Sequence, residues 1–446
     1  MKPPLSWILF LASLPSVVAI AQLGRIHPDE IYQVLEPAYR LAHGHGIVAW
    51  EWRVGLRNWA VPGTLGALLR AAAPLGVTHP VACRAVSAIP LVALHAWALA
   101  AAHRWLTRNA PTYARAWLLA LGLSGPVILF AGHPMSESIA TAFLVVAVEA
   151  LDRPSEEPSR DARNGFLGGL ALGFAFVARY GSAPFIVAAI VWVTAHRRYR
   201  MLAHAMLALV IVGEVLGELD ALTWGRPFHS VITYARYNVL TDEGARAMGS
   251  APAWAYARPA LAWTPFWIIA GAALALRAPS LPLVGAAAYV AALLVTPHKE
   301  DRFLYPAIVL FALAAAPALD RSLRGRASER WVAAFIVADG AARLLFPFEL
   351  RGDEMRATVA ATRSDETTGL LVMGENEWGT GGHFMMGRDI PLATCAGPDD
   401  PRFERAVADA RFTHVVALKG IDDSLASRGY RPTERVGRYT VWSRAH

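Results

Sequence analysis

The chain has 446 residues, of which 55% are hydrophobic and only 17% are charged. Roughly a quarter of the residues of a soluble globular domain are charged, so this composition argues against a soluble protein and favours one with several membrane spans. The formal net charge is +7. Lys and Arg recur in alternate loops, as expected when basic loops lie on the cytoplasmic side of a membrane. The net positive charge is therefore explained by membrane orientation and gives no reason to expect a nucleic-acid partner.

Apolar runs recur along the chain and predict an all-α polytopic membrane protein with about eleven transmembrane helices. The runs lie near residues 5–24, 83–102, 116–131, 138–151, 165–178, 182–195, 201–219, 259–276, 281–296, 303–319 and 331–346. The first run follows Lys2 and ends with small residues, so it also fits a cleavable signal peptide, and both interpretations stay open.

The distribution of basic residues predicts the orientation of the loops. The set of alternate loops that is rich in Arg is expected to be cytoplasmic, where anionic lipid headgroups of the membrane also attract basic residues. The other set is expected to face the opposite side. The chain contains no Asn-x-Ser/Thr sequon, which favours a bacterial inner membrane, with the outward loops facing the periplasm or the exterior.

The first outward loop begins with the sequence HPDE, residues 27–30. Pro28 suits a first helical turn, apolar residues then recur at helical spacing, and Gly44 ends the pattern, so we predict interfacial helices in this loop. Asp29 and Glu30 occupy the first turn, where the helix dipole favours ionised carboxylates. On spacing alone, a capping role and a catalytic role are equally compatible with these acids.

The other outward loops contain most of the remaining acidic and basic residues at predicted membrane edges. A charge at such an edge is costly unless it is paired or lines a wet cavity, so this clustering predicts one functional pocket. Its members are Glu51 of WEWR, Glu137 of HPMSES, Arg179 of RYG, Asp220 of ELDALTW, and His298, Lys299 and Arg302 of HKEDRFLYP.

The motifs HPDEIYQVLEP, WEWRVGLRNW, HPMSESIA, LDALTWGRPFHSVITYARYNV and HKEDRFLYP occur in this order over about residues 20–310. This arrangement resembles glycosyltransferase family 22 of the GT-C superfamily. These α-mannosyltransferases use a polyprenyl (dolichyl) phosphate mannose donor to extend lipid-linked N-glycan or GPI-anchor precursors. The sequence departs from the family pattern at Met135, where an Asn is usual. The resemblance implies a GT-C fold and Asp29 as the general base.

Transfer of a sugar from a phosphate to a hydroxyl requires two kinds of group. A base removes the acceptor proton on the face opposite the leaving group, which inverts the anomeric centre. The leaving lipid phosphate needs hydrogen-bond donors and positive charge, which Arg179, His298, Lys299 and Arg302 can supply. The remaining candidates for substrate binding are Glu30, Glu51, Glu137 and Asp220. We expect neither a metal nor a cofactor. The expected partners are a polyprenyl-phosphate-linked sugar donor and a lipid-linked glycan or glycolipid acceptor.

The tail has a different composition from residues 1–348, which form the predicted transmembrane glycosyltransferase domain. The runs GLLVMG, THVVALKG and YTVWSR predict short strands, and PRFERAVADARF predicts a helix. Residues 349–446 are therefore expected to form a small soluble α/β domain on the non-cytoplasmic side. The Gly-rich GENEWGTGG does not have the spacing of a phosphate-binding fingerprint and is interpreted as a loop.

Two other functions compete with mannosyl transfer. The same fold could use another polyprenyl-phosphate sugar, such as arabinose or glucose. An ion-coupled transporter also needs carboxylates within the membrane, but it should place them near mid-span and in repeated halves. The acids of this chain cluster at one edge, and no internal repeat is evident, so the transferase is favoured.

Overall fold

A computed structural model describes residues 5–153, 157–241, 243–342, 352–421 and 423–444. Most of this part of the chain is helical. The α-helices are Leu5–Gln22, Glu36–His43, Trp50–Arg53, Ala60–Ala72, Pro80–Asn109, Ala114–Gly122, Gly125–Phe130, Ser136–Leu151, Pro158–Ala178, Ala183–Ala195, Tyr199–Trp224, His229–Ala235, Glu243–Met248, Ala257–Trp263, Phe266–Ala275, Leu281–Val295, Tyr305–Leu323, Glu329–Ala342, Asp353–Ala361, Gly382–Met386, Pro401–Ala408 and Asp423–Ala426. Segments Glu30–Leu35 and Arg236–Leu240 are π-helical.

The chain forms two compact units. The first comprises Met1–Val18, Val54–Ala60 and Pro90–Pro347, and the second comprises the three other segments. Those segments are Ala19–Arg53, Val61–Ile89 and Phe348–His446. Most of the predicted first outward loop therefore belongs to the same unit as the tail, which the sequence did not predict. The division into domains at residues 348 and 349 stays a prediction.

Four helical segments are long and apolar enough to cross a membrane, among the residues that the structure describes: Leu5–Gln22, Pro80–Asn109, Tyr199–Trp224 and Asp301–Leu323. The predicted number of eleven spans is not confirmed. One reason is that apolar runs contain breaks. Run 259–276 is divided at Thr264, whose extended backbone is the conformation favoured before a proline. The end of the last run, residues 343–346, lies outside the described part of the chain.

A stripe of glycines brings two helices of the first unit into close contact. Gly165, Gly169 and Gly173 recur every four residues on Pro158–Ala178 and therefore lie on one helix face. A Cβ atom on Gly169 would lie 2.3 Å from the carbonyl oxygen of Ala205, on Tyr199–Trp224. Small residues at this spacing let the backbones of membrane helices approach closely, so any side chain at position 169 would force these helices apart.

The helix predicted at the start of the first outward loop is present, and its position at the membrane interface stays a prediction. Its first part is the π-helix Glu30–Leu35, and it continues as the α-helix Glu36–His43. Gly44 ends the helix with φ +86°, a left-handed conformation that favours glycine. The helix therefore presents Asp29 at its N-terminus and leads directly into the segment that contains Glu51.

The tail contains a five-stranded sheet with the order β2-β1-β3-β5-β4. Its strands are β1 Leu370–Met373, β2 Leu392–Cys395, β3 His414–Leu418, β4 Tyr430–Val436 and β5 Tyr439–Arg444. The first three strands are parallel, and β5 pairs antiparallel with β3 and β4. The predicted strands correspond to β1, β3 and β5, whereas β2 and β4 were not predicted. Phe403 of the predicted helix packs on one face, and Ala357 packs on the other.

Candidate active site

In the first unit, two arginines meet at one buried carboxylate. Glu137 lies in the first turn of Ser136–Leu151 and is fully buried. Its Oε1 lies 2.8 Å from Nη1 of Arg179 and 3.3 Å from Nη1 of Arg302. Because two guanidinium groups share this oxygen, one carboxylate holds together two residues that the sequence assigned to phosphate binding.

Arg179 is fixed by several neighbours. Its Nε donates to the Tyr289 hydroxyl at 3.1 Å, and its Nη1 donates to Ser136 Oγ at 3.2 Å as well as to Glu137. Its guanidinium carbon lies 4.6 Å from the ring centroid of Phe303. No described residue accepts a hydrogen bond from Nη2. Arg179 is therefore oriented by its other nitrogens, and Nη2 retains two N–H donors.

A second acid completes this cluster. Glu300 accepts a hydrogen bond from Nε of Arg302 through one oxygen and lies 2.8 Å from Nε2 of His298 through the other. The hydrogen bond with Glu300 raises the pKa of His298 above its usual value. The motif HKEDR thus places Glu300 between its two basic partners, and Glu300 was not among the predicted site residues. Its position in the motif, two residues from each partner, was the signal that could have identified it.

The structure does not join Lys299 to this cluster. The ammonium group donates to the carbonyl oxygens of Leu293, Leu294 and Thr296 at 3.0, 3.1 and 2.5 Å. These carbonyls lie at the C-terminal end of Leu281–Val295, where a cation is favourable. An ammonium group has three donors, and all three are occupied here. Burial lowers the pKa of Lys299.

Asp220 belongs to a separate hydrogen-bond network of the same unit. Its buried Oδ2 accepts from the backbone N–H and the hydroxyl of Ser230, at 2.8 and 2.6 Å. The Ser230 hydroxyl lies 2.6 Å from the Tyr180 hydroxyl, which also accepts from Asn58 Nδ2 at 2.9 Å. Tyr180 follows Arg179 in the chain, so this network fixes the backbone next to that arginine.

In the second unit, the two adjacent acids of HPDE have different environments. Glu30 is fully buried, with Oε1 2.5 Å from Nη2 of Arg84 and Oε2 accepting from the Ile26 N–H at 3.2 Å. The Asp29 side chain is 21% exposed, and its Oδ1 lies 3.1 Å from Nδ1 of His27. Asp29 makes no side-chain capping bond within the described helix. Of these two acids, Asp29 is therefore the one whose side chain is partly exposed.

Glu51 is also held against the helix that carries Asp29. It is buried, and its Oε1 accepts from Nε2 of Gln33 at 3.1 Å. The second unit thus contains Asp29, Glu30 and Glu51, and the first unit contains the arginine pair, His298, Lys299, Glu137 and Asp220. Arg84, the partner of Glu30, was missed because it lies at the start of a predicted span and gave no motif signal.

Comparison with known protein families adds the identity of the chain. Residues 6–346 match the model of the Alg9-like mannosyltransferase family. The chain belongs to this family. The glycosyltransferase resemblance predicted from the sequence motifs is confirmed.

Two relatives in this family are fungal mannosyltransferases. GPI mannosyltransferase 3 of Yarrowia lipolytica is 28% identical over 327 residues, which cover 71% of this chain and 62% of the relative. Alpha-1,2-mannosyltransferase alg9 of Schizosaccharomyces pombe is 26% identical over 343 residues, which cover 66% of this chain and 55% of the relative. The match therefore spans less than two thirds of the length of either relative.

Solved structures share the fold of this family member. ArnT from Cupriavidus metallidurans, bound to undecaprenyl phosphate, matches with a TM-score of 0.61 over 99% of this chain and 98% of that chain. Arabinofuranosyltransferase AftD from Mycobacteria matches with a TM-score of 0.50 and is covered to 40%. Sequence identities are 13% and 14%, so these similarities show the fold alone. They support the predicted GT-C fold of a membrane protein.

Proposed function

We propose that this protein is an inverting glycosyltransferase of the membrane. It would transfer mannose from a polyprenyl phosphate donor to a hydroxyl of a lipid-linked glycan or glycolipid. The observation that carries the proposal is the pair of Arg179 and Arg302 on the buried carboxylate of Glu137, in a chain of a mannosyltransferase family. The ArnT structure was solved with undecaprenyl phosphate, which supports a donor of this chemical class.

The arginine pair is suited to hold the leaving phosphate. Arg179 and Arg302 present planar donor groups, and Nη2 of Arg179 has no described acceptor. Both guanidinium groups are held by Glu137, so they do not need to reorganise when a phosphate oxygen arrives. Donors that are oriented in advance toward developing negative charge are usually the largest contribution to this kind of catalysis.

We propose Asp29 as the general base. The acceptor oxygen attacks the anomeric carbon of the donor sugar, and its proton passes to the Asp29 carboxylate. The bond between that carbon and the phosphate oxygen breaks, and the lipid phosphate keeps the electron pair. Since attack and departure occur on opposite faces of the sugar, the configuration is inverted. The side chain of Asp29 is partly exposed, whereas Glu30 is fully buried and paired with Arg84.

The sequence assigned four other acids to substrate binding, and that role stays a prediction. Their contacts support an indirect role in catalysis. Glu30 and Glu51 hold the helix of Asp29, and Glu137 holds the arginines. Asp220 has a buried Oδ1 without a described partner, so it can accept one more hydrogen bond, from water or from a sugar hydroxyl.

Positions of the acids also bear on the transporter alternative. Glu137 lies in a first helical turn, Asp29 lies at a helix start, and Asp220 lies in the last turns of Tyr199–Trp224. None of these three is near the middle of its helix, where an ion path would need it. The named relatives are fungal, so they give no support to a bacterial inner membrane. We propose a non-cytoplasmic active site in whichever membrane holds the protein.

The variant Asp29→Asn tests the assigned base. Asparagine keeps the shape and accepts hydrogen bonds but cannot take up the acceptor proton, so we expect at least a hundredfold loss of mannosyl transfer. Glu30→Gln should lose much less. Turnover is measured with purified variants, synthetic polyprenyl phosphate mannose and membrane-extracted acceptor. If Asp29→Asn retains more than about a tenth of wild-type turnover, Asp29 is not the base.

A further inference from the structure

The helix that carries Asp29 is fastened to the tail through a buried carboxylate. Glu36 lies seven residues after Asp29, roughly 10 Å along the helix at 1.5 Å per residue, and is fully buried. Its Oε1 accepts from the backbone N–H of Ile47 at 2.7 Å and of His383 at 3.0 Å. Its Oε2 accepts from the N–H of Phe384 at 2.8 Å. One side chain thus joins the helix, the following loop and the tail.

The backbone of the tail is shaped for this carboxylate. Gly381 and Gly382 have φ values of +83° and +62°, which other residues rarely adopt. A Cβ atom on Gly382 would lie 2.6 Å from Oε2 of Glu36. Two successive glycines therefore allow both amides to point at Glu36 and leave room for its oxygens. The Gly-rich segment GENEWGTGG, predicted as a loop, thus provides the backbone conformation that binds the Glu36 carboxylate.

A second anchor lies one helical turn before Glu36. The buried hydroxyl of Tyr32 donates to the carbonyl oxygen of Glu377 and lies 3.0 Å from Oγ1 of Thr380. The ring of Trp378 packs edge-on against the Tyr32 ring, with 4.9 Å between centroids. Tyr32 and Glu36 therefore bind the same short segment of the tail at two points.

The segment between Asp29 and Glu36 is an unusual helix. Residues Glu30–Leu35 are π-helical, and the backbone N–H of Glu36 closes the last wide turn on the carbonyl of Ile31. Single π turns are rare and occur often at functional sites. Since the anchors lie within and directly after this turn, they hold the geometry that sets the direction of Asp29.

We propose that Glu36 and Tyr32 are positioning residues and that the tail segment 377–384 fixes the helix of the catalytic base. This inference rests on the proposed role of Asp29. Their polar groups are engaged by the protein backbone and Thr380, so in this proposal each acts through the position of Asp29. The tail then contributes to catalysis, because its backbone supplies two of the three N–H donors that bind the buried carboxylate of Glu36.

The test is a double-mutant cycle between Glu36→Gln and Asp29→Asn. The amide introduced by Glu36→Gln cannot accept from all three N–H groups, so we expect kcat for mannosyl transfer to fall about tenfold, with a less than twofold change in the KM for donor. In the Asp29→Asn background, the residual rate should not fall further. Tyr32→Phe should lower kcat in the same selective way, and Glu404→Gln, at an exposed tail carboxylate, is the control without effect.

Hydrogen exchange of the tail amides shows whether the anchor has been loosened. We expect faster exchange at His383 and Phe384 in Glu36→Gln. Unchanged kcat in Glu36→Gln and Tyr32→Phe, with or without faster exchange, overturns the inference. An equal loss from Glu36→Gln in both backgrounds also overturns it, since that result means general damage. If Asp29→Asn alone keeps its activity, the base assignment has failed, and this outcome is distinct from the others.

Discussion

Replacing Arg179 by lysine separates charge from donor geometry at the proposed phosphate site. Lysine keeps the positive charge that Glu137 needs, and Glu137 also keeps Arg302 at 3.3 Å, so the protein should remain folded. A single ammonium group at position 179 cannot pair with Glu137, bond to Tyr289 and offer the donors of Nη2 at the same time. The variant therefore loses directed hydrogen bonds to the phosphate.

The size of this loss follows from what one oriented donor contributes. Deleting one donor to a developing oxyanion costs about 3 kcal/mol, so kcat/KM for the donor substrate should fall roughly a hundredfold in Arg179→Lys. The matched control is Lys299→Gln, because the three donors of Lys299 already bind carbonyls at a helix end. That variant should stay within about threefold of wild type and lose less than about 1 kcal/mol of stability.

The assay measures mannosyl transfer at donor concentrations below saturation, with the amount of folded protein checked by size-exclusion chromatography. Two results would refute the reasoning. Arg179→Lys could retain more than a third of wild-type kcat/KM, which would remove Arg179 from the phosphate site. Alternatively, kcat/KM of Lys299→Gln could fall as far as that of Arg179→Lys, which would show that Lys299 does more than contact the helix end.

Three further predictions concern stability and topology. Arg84→Met removes the cation that lies against the buried Glu30 carboxylate and should cost about 3–5 kcal/mol in chemical unfolding in detergent. Adding Glu30→Gln should recover most of that loss, and a cost below about 1 kcal/mol would contradict a strong pair. Gly169→Ala should lower the free energy of unfolding by about 1–3 kcal/mol, because the added methyl group separates the helices. The control Gly213→Ala should lose no stability, because a Cβ atom there meets no atom within 4 Å. Equal effects of the two variants would reject close packing at Gly169. The topology prediction uses a single cysteine at exposed Ser427, in a background without native cysteines, and sealed vesicles with the cytoplasmic face outward. This cysteine should react with an impermeant maleimide only after detergent is added. Immediate labelling would place the tail on the cytoplasmic side.

The sequence by itself determined the class of the protein and several of its elements. High apolar content and few charges are sufficient to indicate membrane spans. The helix that follows HPDE was predictable because Pro28 and Gly44 act locally, through a fixed φ and a left-handed φ. Ordered motifs such as HPDE and HKEDR were specific enough to predict the family. The number of spans was less predictable, because breaks such as that at Thr264 divide apolar runs that look continuous in composition.

Only the tertiary structure decided which charged side chains contact each other. Glu137 meets Arg179 and Arg302, which are distant in the chain, and no spacing rule relates these three positions. Lys299 and Arg302 share one motif, but the donors of Lys299 are used by helix carbonyls while Arg302 joins the buried cluster. A side-chain donor can be satisfied by the backbone or by a distant acid, and the choice depends on which atoms folding brings within about 3 Å. For the same reason, the sequence could not show that Glu36, an ordinary acid of an amphipathic helix, accepts hydrogen bonds from backbone amides of the tail.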